Sequence, residues 1–176
     1  MAKEKKFLRY KGKKIYYYLK RKKKIFLFIH GIGGCLEHFY NAKNYAKNDN
    51  GILLVDLPGF GSSFRKGAAP KNMAEYHAKA LLFILKNLKI AKLNIVFFSL
   101  STCYLKFFIS SAKWKDVEKI FFIEPSIVKK DLDWSLQIYH KGKTEYKNYV
   151  NKLKANYKKL FYIIFPTTSF KKKIVL

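Results

Sequence analysis

The chain has 176 residues, 49% hydrophobic and 18% aromatic, which is enough apolar material for one substantial core and excludes a disordered chain. Its formal charge of +26 comes almost wholly from lysine: of 37 basic residues only Arg9, Arg21 and Arg65 are arginine. Arginine is the side chain that forks onto phosphate and guanine, so this balance argues against a specific nucleic-acid partner. The commonest residues (Lys, Phe, Tyr, Ile and Asn) all have AT-rich codons, and coding bias alone accounts for the excess. The first 24 residues stand apart, with twelve Lys or Arg against Glu4, and read as a solvated face or a contact for anionic lipid or nucleic acid.

Cys35 and Cys103 are too few for a disulfide framework and fit a reducing cytoplasm. No apolar segment follows the amino-terminal lysines, as a signal peptide would require. The most apolar run, Ile95 to Leu105, falls short of a bilayer span and is closed by Lys106. A soluble, cytoplasmic protein is expected.

In chain order, Lys6 to Tyr10 and Lys14 to Leu19 flank Lys11-Gly12-Lys13 and read as an antiparallel hairpin. Lys24 to Ile29 is apolar nearly throughout, as for a strand covered on both faces, and runs into His30-Gly31-Ile32-Gly33-Gly34. Leu36, Phe39, Tyr40 and Ala46 then recur near helical period and predict a helix of about a dozen residues. Gly51 to Asp56 is the next strand, ending in Leu57-Pro58-Gly59-Phe60-Gly61-Ser62-Ser63. Asn72 and Glu75 form a capping pair ahead of a long amphipathic helix faced by His77, Leu81, Ile84 and Leu88. Leu93 to Phe98 is a strand, Leu100 to Ala112 a predicted helix with Lys106 and Lys113 outward, and Val117 to Ile123 another strand. Beyond Pro125 lysine and tyrosine dominate, with one more basic helix marked by Tyr146, Tyr149, Val150, Leu153, Tyr157 and Leu160. Strands alternating with helices predict an α/β protein whose mostly parallel sheet carries its working groups at the carboxyl edge.

Three of these segments carry a family resemblance. Phe28-Ile29-His30-Gly31-Ile32-Gly33-Gly34, Asp56-Leu57-Pro58-Gly59-Phe60-Gly61-Ser62-Ser63 and Asn94-Ile95-Val96-Phe97-Phe98-Ser99-Leu100-Ser101 resemble, in order and spacing, successive signatures of the α/β-hydrolase fold. The likeness covers about residues 6–125. It implies a partial α/β-hydrolase core over residues 1–125 and a truncated, lid-like helical segment over 126–176, with an incomplete carboxyl-terminal part.

In that family the nucleophile sits on a tight strand-to-helix elbow, Gly-x-Ser-x-Gly, with small residues two positions either side. The resemblance through Asn94 places Ser99 there, with Ser101 small as required and Phe97 not. A frame centred on Ser101 has small flanks in Ser99 and Cys103 but breaks the strand spacing. Both serines are also plain candidates for capping the helix that follows. The oxyanion hole implied is the backbone N–H of Leu100 with that of Ile32, in a loop that Gly31 and Gly33 let approach closely. His30 is expected to orient this loop structurally, and His38 and His77 to pack or face solvent.

The implied acid is Glu124, at the end of the strand after the nucleophile helix, a place similar to that used by haloalkane dehalogenases. Glu124-Pro125-Ser126 through Asp131-Leu132-Asp133-Trp134-Ser135 also resembles a lid entrance in the family. Of the histidines only His140 follows Ser99 and Glu124, so it is the candidate base, although the family places its histidine after two further strands without counterpart here. Serine at position 99, where dehalogenases and epoxide hydrolases carry aspartate, disfavours those reactions. The glycines lack the Walker lysine and the dinucleotide spacing, and no Cys/His cluster has zinc spacing, so neither cofactor nor metal is expected.

Two functional readings follow. One is a serine hydrolase acting on a small carboxylic-ester-like substrate through an acyl-enzyme. The other is an inactive or truncated relative that acts as a binding or partner protein, motivated by Phe97 and the missing histidine. A basic module for lipid or nucleic acid rests on charge alone. Strand Val117–Ile123 is expected to present an exposed sheet edge, through which copies of the chain would self-associate.

Overall fold

A computed structural model describes residues 5–44, 49–63, 70 and 72–124, all within the first of the two units into which the chain divides, Met1–Val128. The expected lid region, the basic helix around Tyr146 to Leu160, His140 and Ala46 lie outside the described residues.

Six strands form one mixed sheet: β1 (Lys6–Tyr10), β2 (Lys13–Lys20), β3 (Lys24–Ile29), β4 (Asn50–Val55), β5 (Leu93–Phe98) and β6 (Val117–Ile123), in spatial order β1-β2-β4-β3-β5-β6. The hairpin joins β1 to β2 antiparallel, and β2 lies antiparallel on β4 with Tyr17 opposite Val55. From β4 onward every pairing is parallel, β3 lying between β4 and β5 and β5 against β6. This is the mostly parallel α/β sheet that the alternating apolar runs predict. The inner strands are apolar on both faces because both are covered: β4 is buried from Gly51 to Val55 and β5 from Leu93 to Phe97.

The larger core lies on one face, where Ile25, Leu27, Ile29, Leu53, Val55, Ile95 and Phe97 meet Ala78, Leu81, Ile84 and Leu85 of helix α1 (Met73–Asn87) and Phe108 of the short helix α2 (Leu105–Ile109). Asn72 starts α1 as expected, its Oδ1 accepting the Glu75 N–H at 3.1 Å. On the opposite face a smaller cluster packs Leu36 against Ile52 and Leu54, with Phe28, Phe39 and Tyr40 around it.

Two helices differ from expectation. The segment after the glycines is a 3-10 turn over Leu36–Asn44. Its start is pinned: Leu36 N–H goes to the Asp56 carboxylate at 2.8 Å and His38 N–H to Cys35 O, three residues back, at 3.2 Å. The predicted helix Leu100–Ala112 is likewise broken, into a 3-10 segment Ser99–Tyr104, then α2, then a 3-10 turn Ala112–Asp116. Hydroxyls account for the breaks. Thr102 Oγ1 donates to Ser99 O at 2.8 Å, Ser110 Oγ to Lys106 O at 2.9 Å and Ser111 Oγ to Phe108 O at 2.7 Å. Side chains that reach back to carbonyls compete with the regular ladder. Lys113 is not simply outward either: its ammonium donates to Ile90 O at 2.6 Å and pairs with Asp116 at 2.7 Å.

Phe97 is fully buried, stacked on Phe122 with centroids 5.9 Å apart and edge-on to Phe108 at 6.1 Å. Truncation there leaves a cavity between sheet and α2. Phe97→Ala should lower the unfolding free energy by about 3–5 kcal/mol, read from urea denaturation.

Candidate active site

The carboxyl edge of the parallel strands gathers three loops. Strand β3 delivers the His30–Gly34 loop, β4 the Asp56–Ser63 turn, and β5 delivers Ser99. Ser99 adopts φ +54°, a left-handed conformation that a non-glycine residue adopts only under constraint. Residues on both sides are clamped: Phe97 is buried before it and Leu100, Ser101 and Tyr104 after it, while Ser99 itself is half-buried and reachable. A strand that stops, bends left-handed and becomes helical within one residue lifts that side chain out of the sheet.

Gly31 lies directly against this bend. A Cβ at position 31 would sit 3.0 Å from Ser99 Cβ and 3.2 Å from Phe98 O, tighter than ordinary contact, so any side chain there would press the loop and the bend apart by a few tenths of an ångström. Leu100, in the first turn of the segment after Ser99, contributes an N–H that has no carbonyl partner inside that helical turn. Ile32 is half-buried in the facing loop, and Gly33 next to it has φ +68°. Glu124 follows β6 directly; because Phe98 pairs with Ile123 in the parallel register, Glu124 and Ser99 are the next residues on adjacent strands. Glu124 is half-buried and also left-handed, φ +47°.

Ser101 occupies a different environment. It is fully buried, its Oγ accepting the Phe98 N–H at 2.8 Å and lying 2.9 Å from Phe98 O and 3.1 Å from Ile29 O. The side chain therefore ties β5 to β3 behind the bend. His30 is buried: Nε2 accepts the Leu57 N–H at 3.1 Å, so the ring proton is on Nδ1, which donates to Gly31 O at 2.8 Å. His77 on α1 is buried as well, donating from Nε2 to Pro58 O at 2.9 Å and accepting the Tyr104 hydroxyl at Nδ1, 2.9 Å away. Phe60 lies edge-on to both imidazoles. His38 is exposed on the 3-10 turn.

Residue reading alone missed the role of Asp56. Fully buried at the end of β4, it accepts the N–H groups of Leu36 at 2.8 Å and Ser62 at 2.9 Å, holding the exit of the glycine loop to the β4 turn. Gly61 belongs to this arrangement, since a Cβ there would fall 2.4 Å from Asp56 Oδ1. The available signal was an acid at a strand end with glycines at three and five residues beyond it, a spacing that leaves room around a buried carboxylate. Burial pushes the Asp56 carboxyl above its ordinary range, against the pull of those two N–H groups. Burial also pushes the thiols of Cys35 and Cys103 up to about 11, keeping both protonated and poorly nucleophilic. Among the described residues no group of three His, Cys, Asp or Glu could hold a metal ion, and no helix is long and apolar enough to cross a membrane.

Residues 24–104 match the family model described as alpha/beta hydrolase fold. Solved structures agree in architecture. A hydrolase from Pseudomonas aeruginosa PA01 superposes with TM-score 0.70 at 16% identity, over 87% of this chain and 59% of that one. An esterase from Exiguobacterium antarcticum gives 0.57 at 19% identity, over 65% of this chain and 42% of its own. The haloalkane dehalogenase DatA from Agrobacterium tumefaciens C58 gives 0.63 at 16% identity, over 90% and 55% respectively. No curated protein matches the sequence. With the strand order and the three edge loops, these likenesses show that the chain has the α/β-hydrolase fold. The chain spans about half the length of these solved relatives.

Burial lowers both His30 and His77 to about 4 from their ordinary 6.5. The unfolded chain therefore takes up two protons that the native state refuses. Stability from these imidazoles is complete above about pH 6.5 and is lost as pH falls toward 4, at up to about 1.4 kcal/mol per pH unit for each histidine. Asp56 acts in the opposite sense, but only above its ordinary 3.8. Urea denaturation between pH 7 and 5 should show this acid weakening, and His77→Gln should flatten the slope by about half.

Proposed function

We propose that the protein is a serine hydrolase acting on small carboxylic-ester-like substrates through an acyl-enzyme. The observation that carries this reading is the left-handed bend at Ser99, half-exposed at the carboxyl edge and pressed against Gly31. In this mechanism Ser99 Oγ attacks the acyl carbonyl carbon and passes its proton to a base. The developing oxyanion is held by the Ile32 and Leu100 N–H groups, each contributing about 3 kcal/mol to the barrier reduction. Collapse of the tetrahedral species releases the alcohol, which carries the proton away, and water then hydrolyses the ester on Ser99. Glu124, in register with Ser99, orients the base; His140, the candidate that the chain order offers, lies outside the described residues.

An inactive relative that holds a ligand or partner is the competing reading. It is favoured by the engagement of both ring nitrogens of His30 and His77, which removes two of the four histidines from acid–base work. A fluorophosphonate probe separates the two. The hydrolase reading expects one adduct, mapped by mass spectrometry to the peptide containing Ser99, and its loss in Ser99→Ala. Turnover of a short-chain p-nitrophenyl ester should fall by about three orders of magnitude or more in that variant. No adduct, or an adduct indifferent to Ser99→Ala, contradicts the proposal.

A further inference from the structure

The edge of the sheet opposite Ser99 has a composition that the catalytic reading does not use. Here β3, β4, β5 and β6 begin, and three connections return to it: the β2–β3 turn with Lys20, Arg21, Lys22, Lys23 and Lys24, the α1–β5 turn with Lys89 and Lys92, and the α2–β6 turn with Lys113 and Lys115. The contacts between these turns make them one surface. Arg21 donates to Leu88 O, Lys113 to Ile90 O, and Lys24 and Lys92 both pair with Glu118, at 3.1 and 3.7 Å. Lys22, Lys23, Lys89 and Lys115 are exposed and make no ion pair among the described residues.

The same surface carries two of the most exposed large apolar side chains of the described residues, Ile109 at 50% and Trp114 at 38%. Ile109 ends α2 and Trp114 lies in the 3-10 turn that follows, so both belong to the knuckle whose Lys113 reaches Ile90. Codon bias supplies many lysines; it does not place them around an exposed indole and an exposed aliphatic chain.

We infer that this amino-terminal edge is a docking surface for an anionic lipid bilayer, with Ile109 and Trp114 seated at the headgroup boundary and the lysines on the lipid charge. Indole rings favour that boundary, and a ring of ammonium groups supplies the long-range attraction. Nucleic acid fits less well. The one arginine here, Arg21, already donates to a backbone carbonyl, and of the two exposed apolar side chains only Trp114 has a face for base stacking, whereas a bilayer takes both. Docked this way, the protein holds Ser99 about 20 Å from the bilayer, one six-residue strand away, with its loops turned to the aqueous side.

Co-sedimentation of the full chain with phosphatidylcholine–phosphatidylglycerol vesicles tests this against pure phosphatidylcholine vesicles. Binding is expected only to the charged vesicles. The triple variant Lys22→Glu, Lys23→Glu, Lys115→Glu should weaken it about a hundredfold. A control with the same charge change at the hairpin turn, Lys11→Glu, Lys13→Glu, Lys14→Glu, should weaken it by much less. In a Trp134→Phe background Trp114 is the sole tryptophan, and its emission should shift to the blue on charged vesicles. Equal losses in the two triple variants, no emission shift, no vesicle binding, or tighter binding to duplex DNA with the same variant dependence would each overturn the inference.

Discussion

One backbone constraint organises this molecule: the left-handed turn at Ser99 between a buried strand and a helical segment. Strand β5 is held in register on both sides, by β3 and β6, so it cannot shift to relax the bend. Beyond it Leu100, Ser101 and Tyr104 are buried, which fixes the direction of exit. A non-glycine residue in this conformation costs about 1–2 kcal/mol, offset by the side chains packed around it. Gly31 suits this approach, because the loop after β3 passes where a side chain would crowd Ser99 Cβ. Reach, orientation and loop approach all follow from that single dihedral.

Behind the bend, rigidity comes from buried polar struts. Asp56 joins the glycine loop to the β4 turn, His30 joins that turn to Gly31, and His77 links α1 to Pro58 and Tyr104. Each strut engages backbone groups at a carboxyl-edge loop, so the loops share a scaffold rather than hanging independently from the sheet. Both imidazoles are neutral there because water has been removed from around them, which suits them to positioning and unsuits them to accepting a proton near pH 7.

How much of this was legible in the residues differs by element. Strands β3, β5 and β6 were readable to the residue, since a buried parallel strand is a short apolar run bounded by turn chemistry. Helix α1 was readable from Asn72, Glu75 and the spacing of His77, Leu81 and Ile84. The segments after the glycines and after Ser99 were not, because their geometry is decided by Asp56, twenty residues beyond Leu36 in sequence yet bonded to its N–H, and by hydroxyls of Ser101, Thr102, Ser110 and Ser111 bonding back to carbonyls. Phe97 looked too large for its position beside a nucleophile; its ring is taken up between Phe108 and Phe122 in the core. Glu124 was readable as a strand end, while its register beside Ser99 required the β5–β6 pairing.

The most direct measurement is the stability of Ser99→Gly against Ser99→Ala and the parent chain, by equilibrium urea denaturation. A left-handed bend predicts that glycine relieves the strain, making Ser99→Gly more stable than Ser99→Ala by about 1 kcal/mol and at least as stable as the parent. If glycine instead destabilises by about 0.5–1 kcal/mol relative to alanine, as it does within a regular helix or strand, the bend on which this account stands does not exist.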